Sequence, residues 1–223
     1  MDGVDAPART RRSWGSLSRE QIVAAALHIA RTEGLEALTI RRLAADLDAS
    51  RMALYRHVAD KDALVTLVLN AIAEQSVPSL PPGDGPWEVR LRRLAHSLRD
   101  ELRAYPGVIE VLMTRYNHGP GALRAVDSIL EILADAGLST QDAARYYVVF
   151  IDLVFGRVHR EVHGDPVAPE RTASLVRTAR EHGELPHISA AESELRAVTA
   201  EQIFETELDM LVHAVIRLRG TVP

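Results

Sequence analysis

The chain has 223 residues, with 26 basic and 31 acidic side chains and no cysteine. Its length suits one large domain or two small ones, and an apolar fraction of 47% is enough for a packed core and excludes a disordered chain. The absence of cysteine excludes thiolate zinc sites, iron–sulfur clusters and cysteine nucleophiles. The acidic total argues at first against a nucleic-acid partner, but the charge is uneven. Residues 39–61 hold five basic and three acidic groups, whereas residues 77–223 hold 16 and 21.

The apolar stretches are too short or too interrupted for membrane insertion. The most apolar run, 146–156, has eleven residues and contains Asp152, whereas a bilayer span takes about 20. Gln21 and His28 interrupt the first apolar stretch, so it lacks the core of a signal peptide. We therefore expect a soluble, cytoplasmic protein with no membrane partner and no cofactor.

The N-terminal third predicts a basic arm followed by four helices. Residues 1–15 form the arm, in which Arg9, Arg11 and Arg12 could follow the minor groove of DNA or serve a solubilising tail. A capping box of Ser18 and Gln21 opens the first helix, which ends at Gly34. The third helix is predicted over 51–57, after a turn at 48–50. The residues placed to cap the first four helices are Ser18, Thr39, Ser50 and Asp60.

A composition break at 77–86, which holds four Pro and two Gly, marks the predicted domain boundary. Beyond it the apolar spacing is again helical, and no alternating run demands a strand. The fold class is therefore all-α. The predicted C-terminal helices cover 91–102 (ended by Pro106), 108–114, 123–133, 141–163, 170–181 and 199–219.

Two short helices joined by a three-residue turn are the helix-turn-helix arrangement, which places its second helix in the DNA major groove. The second helix of this motif is the predicted helix 51–57. There Arg51, Met52 and Arg56 face outward, while Leu54 and Val58 face inward. An arginine in this position can bind guanine through two hydrogen bonds. The residues at helix ends that can reach phosphates are Thr39, Tyr55, His57 and Lys61.

The sequence resembles the DNA-binding domain of tetracycline-repressor-like (TetR) regulators over about residues 18–70. The matching runs are LTIRRLA at 38–44, SRMALYRHV at 50–58 and KDAL at 61–64, and FETELDML at 204–211 is a weaker echo of the family's last helix. The resemblance implies phosphate contacts from Thr39, Tyr55, His57 and Lys61, and base contacts from Arg41, Arg51, Met52 and Arg56. The candidate DNA-binding set is Thr39, Arg41, Ser50, Arg51, Met52, Tyr55, Arg56, His57 and Lys61.

The turn departs from the family pattern, because Asp48 stands where glycine is usual. Asp tolerates left-handed backbone better than most residues, so we expect a small cost in stability.

The resemblance also implies a C-terminal half that forms a homodimer and encloses a pocket for a small-molecule effector. The chain then divides into the arm (1–15), a helix-turn-helix domain with a linking helix (16–76), and a ligand-binding and dimerisation domain (77–223). The implied function is a ligand-responsive regulator, with repression favoured, that leaves a palindromic operator in double-stranded DNA when the effector binds.

Candidate ligand contacts are the polar and aromatic residues of the C-terminal half. Asp152 is the most informative, because a carboxylate in an apolar run needs a partner such as Arg145, Arg157 or a ligand. Each of these residues also has a plain structural role as an alternative. The candidates are His96, Tyr105, Met113, Tyr116, Asn117, Tyr147, Phe150, Asp152 and His159.

Two alternative functions stay open. His159 and His163 lie one helical turn apart, which suits a metal and a helical metal-dependent enzyme, but two histidines near a helix C-terminus are also favoured by the helix dipole. A zinc protease requires a Glu directly after the first histidine, but Arg160 follows His159 here. The chain also has no G-x-S-x-G, P-loop or G-x-G-x-x-G motif. We therefore expect neither a metal site nor an enzyme. The other alternative is a ligand-binding helical module that has lost DNA binding.

Overall fold

A computed structural model describes residues 17–76, 85–115, 119–165, 167–183 and 185–219. Over these ranges the chain forms twelve α-helices and no strand, as predicted for an all-α protein. The predicted arm at 1–15, most of the predicted boundary at 77–86, and the candidate ligand residues Tyr116 and Asn117 lie outside the described residues.

Side-chain caps define the N-terminal helices where the sequence predicts them. Ser18 and Gln21 form the capping box of the first helix. The hydroxyls of Thr39 and Ser50 accept hydrogen bonds from the backbone of the second and third helices, and Asp60 caps the fourth at 2.7 Å. The four helices are α1 (Arg19–Glu33), α2 (Ile40–Asp46), α3 (Arg51–Tyr55) and α4 (Lys61–Ser76).

The turn between α2 and α3 uses left-handed backbone at Asp48, with φ 48°. This is the position where the resemblance implies glycine. Helix α3 is shorter than the predicted 51–57: it ends at Tyr55, and Arg56 and His57 lie in the turn that follows. The backbone N–H groups of His57 and Val58 both donate to the carbonyl of Leu54, which closes this turn.

Eight helices form the C-terminal part over the described ranges. The region 164–198, where the sequence predicts one helix, contains that helix and two further short ones. The helices are α5 (Trp87–Arg103), α6 (Val108–Thr114), α7 (Pro120–Asp135), α8 (Thr140–His163), α9 (Pro169–Glu181), α10 (Pro186–Ala190), α11 (Glu192–Ala197) and α12 (Ala200–Arg219).

An apolar core extends from the N-terminal helices into the C-terminal bundle. Helix α4 is central, because it packs against α1, α5 and α7. The close approach of α4 and α7 depends on Gly121, whose N–H donates to Asn70 Oδ1 at 2.6 Å. A Cβ at Gly121 would lie 2.4 Å from the backbone oxygen of Asn70, so only glycine fits there.

Ion pairs centred on two buried arginines join α5, α8 and α12. Arg99 is buried and contacts both Glu161 at 2.9 Å and Glu201 at 2.5 Å, and its guanidinium lies 4.4 Å from the ring centroid of Phe204. Arg157, also buried, pairs with Glu161 at 3.1 Å and with Asp165. Buried charges are tolerated when they are paired in this way.

Candidate functional site

One side of helix α3 is exposed to solvent and carries a cation, while the opposite side is apolar and buried in the core. Leu54 is fully buried and Val58 nearly so, whereas Met52 is 73% exposed and Tyr55 49% exposed. Arg51 and Arg56 are exposed beside them. The predicted inward and outward sides of this segment are therefore as the spacing indicated.

Four cations of α2, α3, the turn after α3 and the start of α4 are free to bind an external anion. Each is exposed and forms no ion pair with any residue that the structure describes. They are Arg41, Arg51, Arg56 and Lys61. Exposed, unpaired cations suit contact with phosphates and base edges.

Arg42, the neighbour of Arg41, has a structural role instead. Its guanidinium binds Glu33 of α1 at 2.6 Å and Asp46 of α2 at 3.3 Å. The hydrogen bonds to Glu33 raise the pKa of Arg42, and the same bonds lower the pKa of Glu33. Arg42 thus ties α1 to α2 and supports the helix-turn-helix.

The polar residues at the helix ends stand where phosphate contacts are expected. The hydroxyl oxygens of Thr39 and Ser50 accept the capping hydrogen bonds of α2 and α3. Their hydroxyl protons are therefore still available to donate to a phosphate. His57 is exposed in the turn after α3, and Lys61 is the first residue of α4. The N-terminus of this 16-residue helix adds a positive dipole.

A cavity of about 350 Å³ lies between α4, α5, α6, α7 and α8. This volume falls in the range of small-molecule sites, about 300–1,000 Å³. Most of its lining is apolar, and Ser76, Tyr147 and Arg115 are the polar side chains among the lining residues. The lining comprises Leu69, Ile72, Ala73, Ser76, Leu98, Leu102, Val108, Leu112, Arg115, Ala122, Leu123, Ala125, Val126, Ile129, Tyr147, Ile151 and Phe155.

The candidate ligand residues of α6 and α8 do not share one location. Tyr147 lines the cavity, whereas Phe150 is fully buried in the core. Met113 is exposed. Asp152 is also exposed, on a side of α8 that the described residues leave open, so its carboxylate is solvated and needs no partner. The two arginines suggested as its partners bind elsewhere: Arg145 to Asp142, and Arg157 to Glu161 and Asp165.

Tyr105 and His96 lie outside the cavity lining. Tyr105 is buried just after α5, and its hydroxyl contacts Arg31 and Gln75. His96 faces α12, where its ring meets Phe204 edge-on at 5.1 Å and its Nε2 lies 2.8 Å from Glu205 Oε1.

The two histidines considered for a metal are engaged with each other and with α6. The rings of His159 and His163 stack with centroids 4.5 Å apart. Nε2 of His163 lies 2.6 Å from Glu110 Oε1, and its Nδ1 faces the backbone oxygen of His159 at 3.1 Å. Both nitrogens of His163 therefore already have protein neighbours.

Within the described residues, the grouping of side chains with metal-ligand spacing is His96, Glu201 and Glu205. Its carboxylates are engaged by arginines: Arg99 binds Glu201 at 2.5 Å, and Arg92 approaches Glu205 at 3.4 Å. These ion pairs balance the charge of the two carboxylates without a metal ion. In the same described ranges, no helix is both long and apolar enough to cross a membrane.

Sequence reasoning missed Arg115 and most of the cavity wall. The wall is built from ordinary apolar residues of five helices, which do not differ in type from core residues. Arg115 alone carried a signal, since a cation directly follows the apolar helix 108–114 at the edge of a Gly-Pro-Gly turn.

Two family models match the chain in succession. The model of bacterial regulatory proteins of the tetR family matches residues 22–68, and that of the tetracyclin repressor-like C-terminal domain matches residues 78–215. The class D tetracycline repressor protein of Escherichia coli is 30% identical over 213 residues, which are 89% of this chain and 94% of that protein.

Two further proteins show the same likeness. The HTH-type transcriptional repressor DrrR1 of Streptomyces coeruleorubidus is 30% identical over 148 residues, 66% of this chain and 55% of that repressor. The crystal structure of the TetR family protein ActR of Streptomyces coelicolor, in complex with actinorhodin, has a TM-score of 0.78 at 23% identity and covers 92% of this chain and 100% of that one. The chain belongs to the tetR family of bacterial regulatory proteins, which are ligand-responsive DNA-binding regulators of transcription.

Proposed function

We propose that this regulator is a repressor that binds a palindromic operator as a homodimer and leaves it when a small molecule occupies the cavity. The observation that carries the proposal is the outward face of α3, where exposed Arg51, Met52 and Tyr55 stand on a buried Leu54. A fixed helix with an exposed cationic face is what major-groove binding requires.

The proposed contacts divide by chemistry. Arg41, Arg51, Met52 and Arg56 read base edges, since arginine can bind guanine bidentately and the methionine side chain can pack on a thymine methyl group. The remaining candidates hold the phosphate backbone and set the position of the helix. These are Thr39, Ser50, Tyr55, His57 and Lys61.

The proposed domain division follows from these roles. Residues 16–76 bind DNA and end in the linking helix α4, and residues 77–223 bind the effector and form the dimer. The extension at 1–15 is a basic arm, and the proposed site of action is the cytoplasm, where the operator is accessible. The proposed activity is regulation and involves no catalytic step.

Helix α4 provides the physical link between the two sites. Its first residue, Lys61, belongs to the proposed DNA contacts, and its second half, through Leu69, Ile72 and Ser76, forms one wall of the cavity. A ligand that fits the cavity better in one position of α4 favours that position, and the DNA-binding helix moves with it. The size of the response is set by the difference in ligand affinity between the two states.

The dimer is supported by exposed apolar side chains on α8 and α12. Val148 and Val149 on α8, and Met210 and Ile216 on α12, remain open to solvent in the single chain. The two helices pack against each other. Large exposed apolar groups on adjacent helices are typical of subunit interfaces.

The test is operator recognition by variants of α3 and its turn. Full-length protein selects sites from random DNA duplexes, and gel shifts then compare the parent with Arg51→Ala/Arg56→Ala. We expect the variant to lose sequence preference and to bind the selected site at least about 30-fold more weakly, from roughly 1–3 kcal/mol for each base contact. The control is Arg93→Ala/Arg177→Ala, which removes the same charge from exposed positions on α5 and α9.

Three outcomes contradict the proposal in different ways. Equal site preference of parent and variant would remove base contact by this face. A parent that binds no duplex at low salt would favour the ligand-binding module without DNA binding. An equal loss in the control would show that only the overall charge matters.

A further inference from the structure

Arg115 touches both the cavity and the DNA-binding part of the chain. It is the C-cap residue of α6 and lines the cavity. Its Nη1 lies 2.7 Å from Oδ1 of Asp62, the second residue of α4. Asp62 is adjacent to Lys61, so this ion pair connects the edge of the cavity to the end of α4 that is proposed to contact DNA.

Among the described residues that line the cavity, Arg115 carries a charge. Among its lining residues the polar side chains are Ser76, Tyr147 and Arg115, and the hydroxyl of Ser76 is already bonded to the backbone oxygen of Ile72 at 3.1 Å. The remaining wall is hydrocarbon and aromatic. A ligand complementary to this lining has an apolar body and a single acidic group directed to Arg115.

We infer that the effector is a small, largely apolar organic acid, and that its acid group takes the place of Asp62 on Arg115. This inference rests on the proposed function and specifies its ligand class and its trigger. An uncharged apolar molecule would leave the Arg115–Asp62 pair intact. An anion of the right size competes for the same guanidinium, which can form two parallel bonds to a carboxylate or sulfonate.

Exchange of partners on Arg115 is energetically easy. The side chains of Arg115 and Asp62 are 53% and 72% exposed, and exposed ion pairs contribute little to stability. At the edge of the cavity, the apolar lining shields one side of a bound anion from water and so strengthens its attraction to Arg115. Ligand binding would thus release the start of α4 from the end of α6 at little cost.

The experiment uses two fluorescent probes that share one skeleton. 8-Anilinonaphthalene-1-sulfonate carries a sulfonate, and N-phenyl-1-naphthylamine is its uncharged counterpart. Fluorescence titration of the full chain gives the affinity for each. We expect the parent to prefer the sulfonate, and Arg115→Gln to reduce sulfonate affinity about five-fold or more while changing affinity for the uncharged probe less than about two-fold.

Three further variants make the test specific. Arg124→Gln is the matched control, since Arg124 is 57% exposed and pairs with Glu74 of the same α4. It lies outside the cavity lining and should leave both affinities unchanged. Asp62→Asn removes the competing carboxylate and should strengthen sulfonate binding a few-fold. Ala122→Phe fills the cavity and should weaken both probes.

The outcomes separate this inference from the proposed function. Equal affinities of the parent for the two probes, no binding of either, equal effects of Arg115→Gln and Arg124→Gln, or no effect of Ala122→Phe would each overturn the inference. Gel shifts on the selected operator are scored independently. A parent that discriminates the probes but binds no DNA keeps the ligand class and loses the proposed function. A parent that binds DNA without discriminating the probes keeps the proposed function and loses the ligand class.

Discussion

The hydroxyl of Tyr105 accepts a hydrogen bond from Nη2 of Arg31 at 3.2 Å, between the C-terminal bundle and α1. The same hydroxyl donates to Oε1 of Gln75 on α4 at 3.2 Å, and the guanidinium of Arg31 lies 4.9 Å from the Tyr105 ring centroid. One residue further along the chain, the backbone oxygen of Pro106 accepts from the N–H of Leu35 at 2.8 Å. The segment between α5 and α6 therefore holds α1 and α4 together.

Tyr105→Phe removes this hydroxyl and keeps the ring. Because the hydroxyl is buried and has two partners, we expect the free energy of unfolding to fall by about 1 kcal/mol. Urea denaturation at fixed protein concentration measures the change. Tyr146→Phe is the control, since the hydroxyl of Tyr146 forms no hydrogen bond within the described ranges, and its stability should stay within about 0.5 kcal/mol. Equal losses in the two variants would contradict the role assigned to Tyr105.

Asp48 adopts left-handed backbone that an L-residue occupies at a cost. Asp48→Ala should destabilise the chain by about 1 kcal/mol, because alanine lacks the local polar compensation of aspartate. Asp48→Gly should stabilise it by about 0.5 kcal/mol, since relief of strain slightly exceeds the entropy that glycine gains when unfolded. Thermal unfolding of the parent and both variants measures the stability, which should decrease in the order Gly, Asp, Ala at position 48. The reverse order would contradict this prediction.

Local signals explain what could be predicted from the sequence. A capping hydroxyl or carboxylate acts within three residues of its own position, so Ser18, Thr39, Ser50 and Asp60 identify helix starts without knowledge of the rest of the fold. The inward direction of Leu54 follows from helical spacing in the same way. The left-handed turn at Asp48 could be placed because the family motif fixes its position.

Long-range packing explains what could not be predicted. Arg41 and Arg42 are adjacent and chemically identical, and only the position of Glu33 at the end of α1 makes Arg42 a structural residue. Likewise, Tyr105 and Tyr147 are both tyrosines near apolar helices, but one meets Arg31 and the other faces the cavity. Such differences depend on which helices meet, and periodicity within one helix does not encode them.

The buried Arg99 predicts a defined pH dependence. Its hydrogen bond to Glu201 lowers the pKa of that carboxyl below 4.5. Burial opposes the charge of Arg99, but its bonds to Glu161 and Glu201 outweigh burial and raise its pKa. A carboxylate with a depressed pKa contributes stability above its unfolded pKa, and this contribution is lost as the pH falls through the folded value. Stability should therefore decline as the pH falls below about 4.5.

Arg99→Met tests this interpretation. Removing one partner of a buried ion pair is strongly destabilising, and we expect a loss of about 3 kcal/mol at pH 7. This is the low end for such a change, because Arg103 and Arg157 still pair with Glu161. The decline below pH 4.5 should also be smaller than in the parent, since Glu201 loses the hydrogen bond that is the main cause of its depressed pKa. Urea unfolding over a pH series measures both effects. Arg93→Met, at an exposed position of the same helix, should change neither by more than about 0.5 kcal/mol.

The exposed apolar sides of α8 and α12 predict which substitutions separate the proposed dimer into monomers. Val149→Asp/Met210→Asp places a carboxylate on each side, and burying these charges in a subunit interface would be unfavourable. We expect sedimentation velocity to show dimers for the parent and monomers for the variant at micromolar concentration. Leu175→Asp on α9 is the matched control, because Leu175 and Val149 are each 48% exposed. A variant that remains dimeric, or a control that dissociates equally, would move the interface away from α8 and α12.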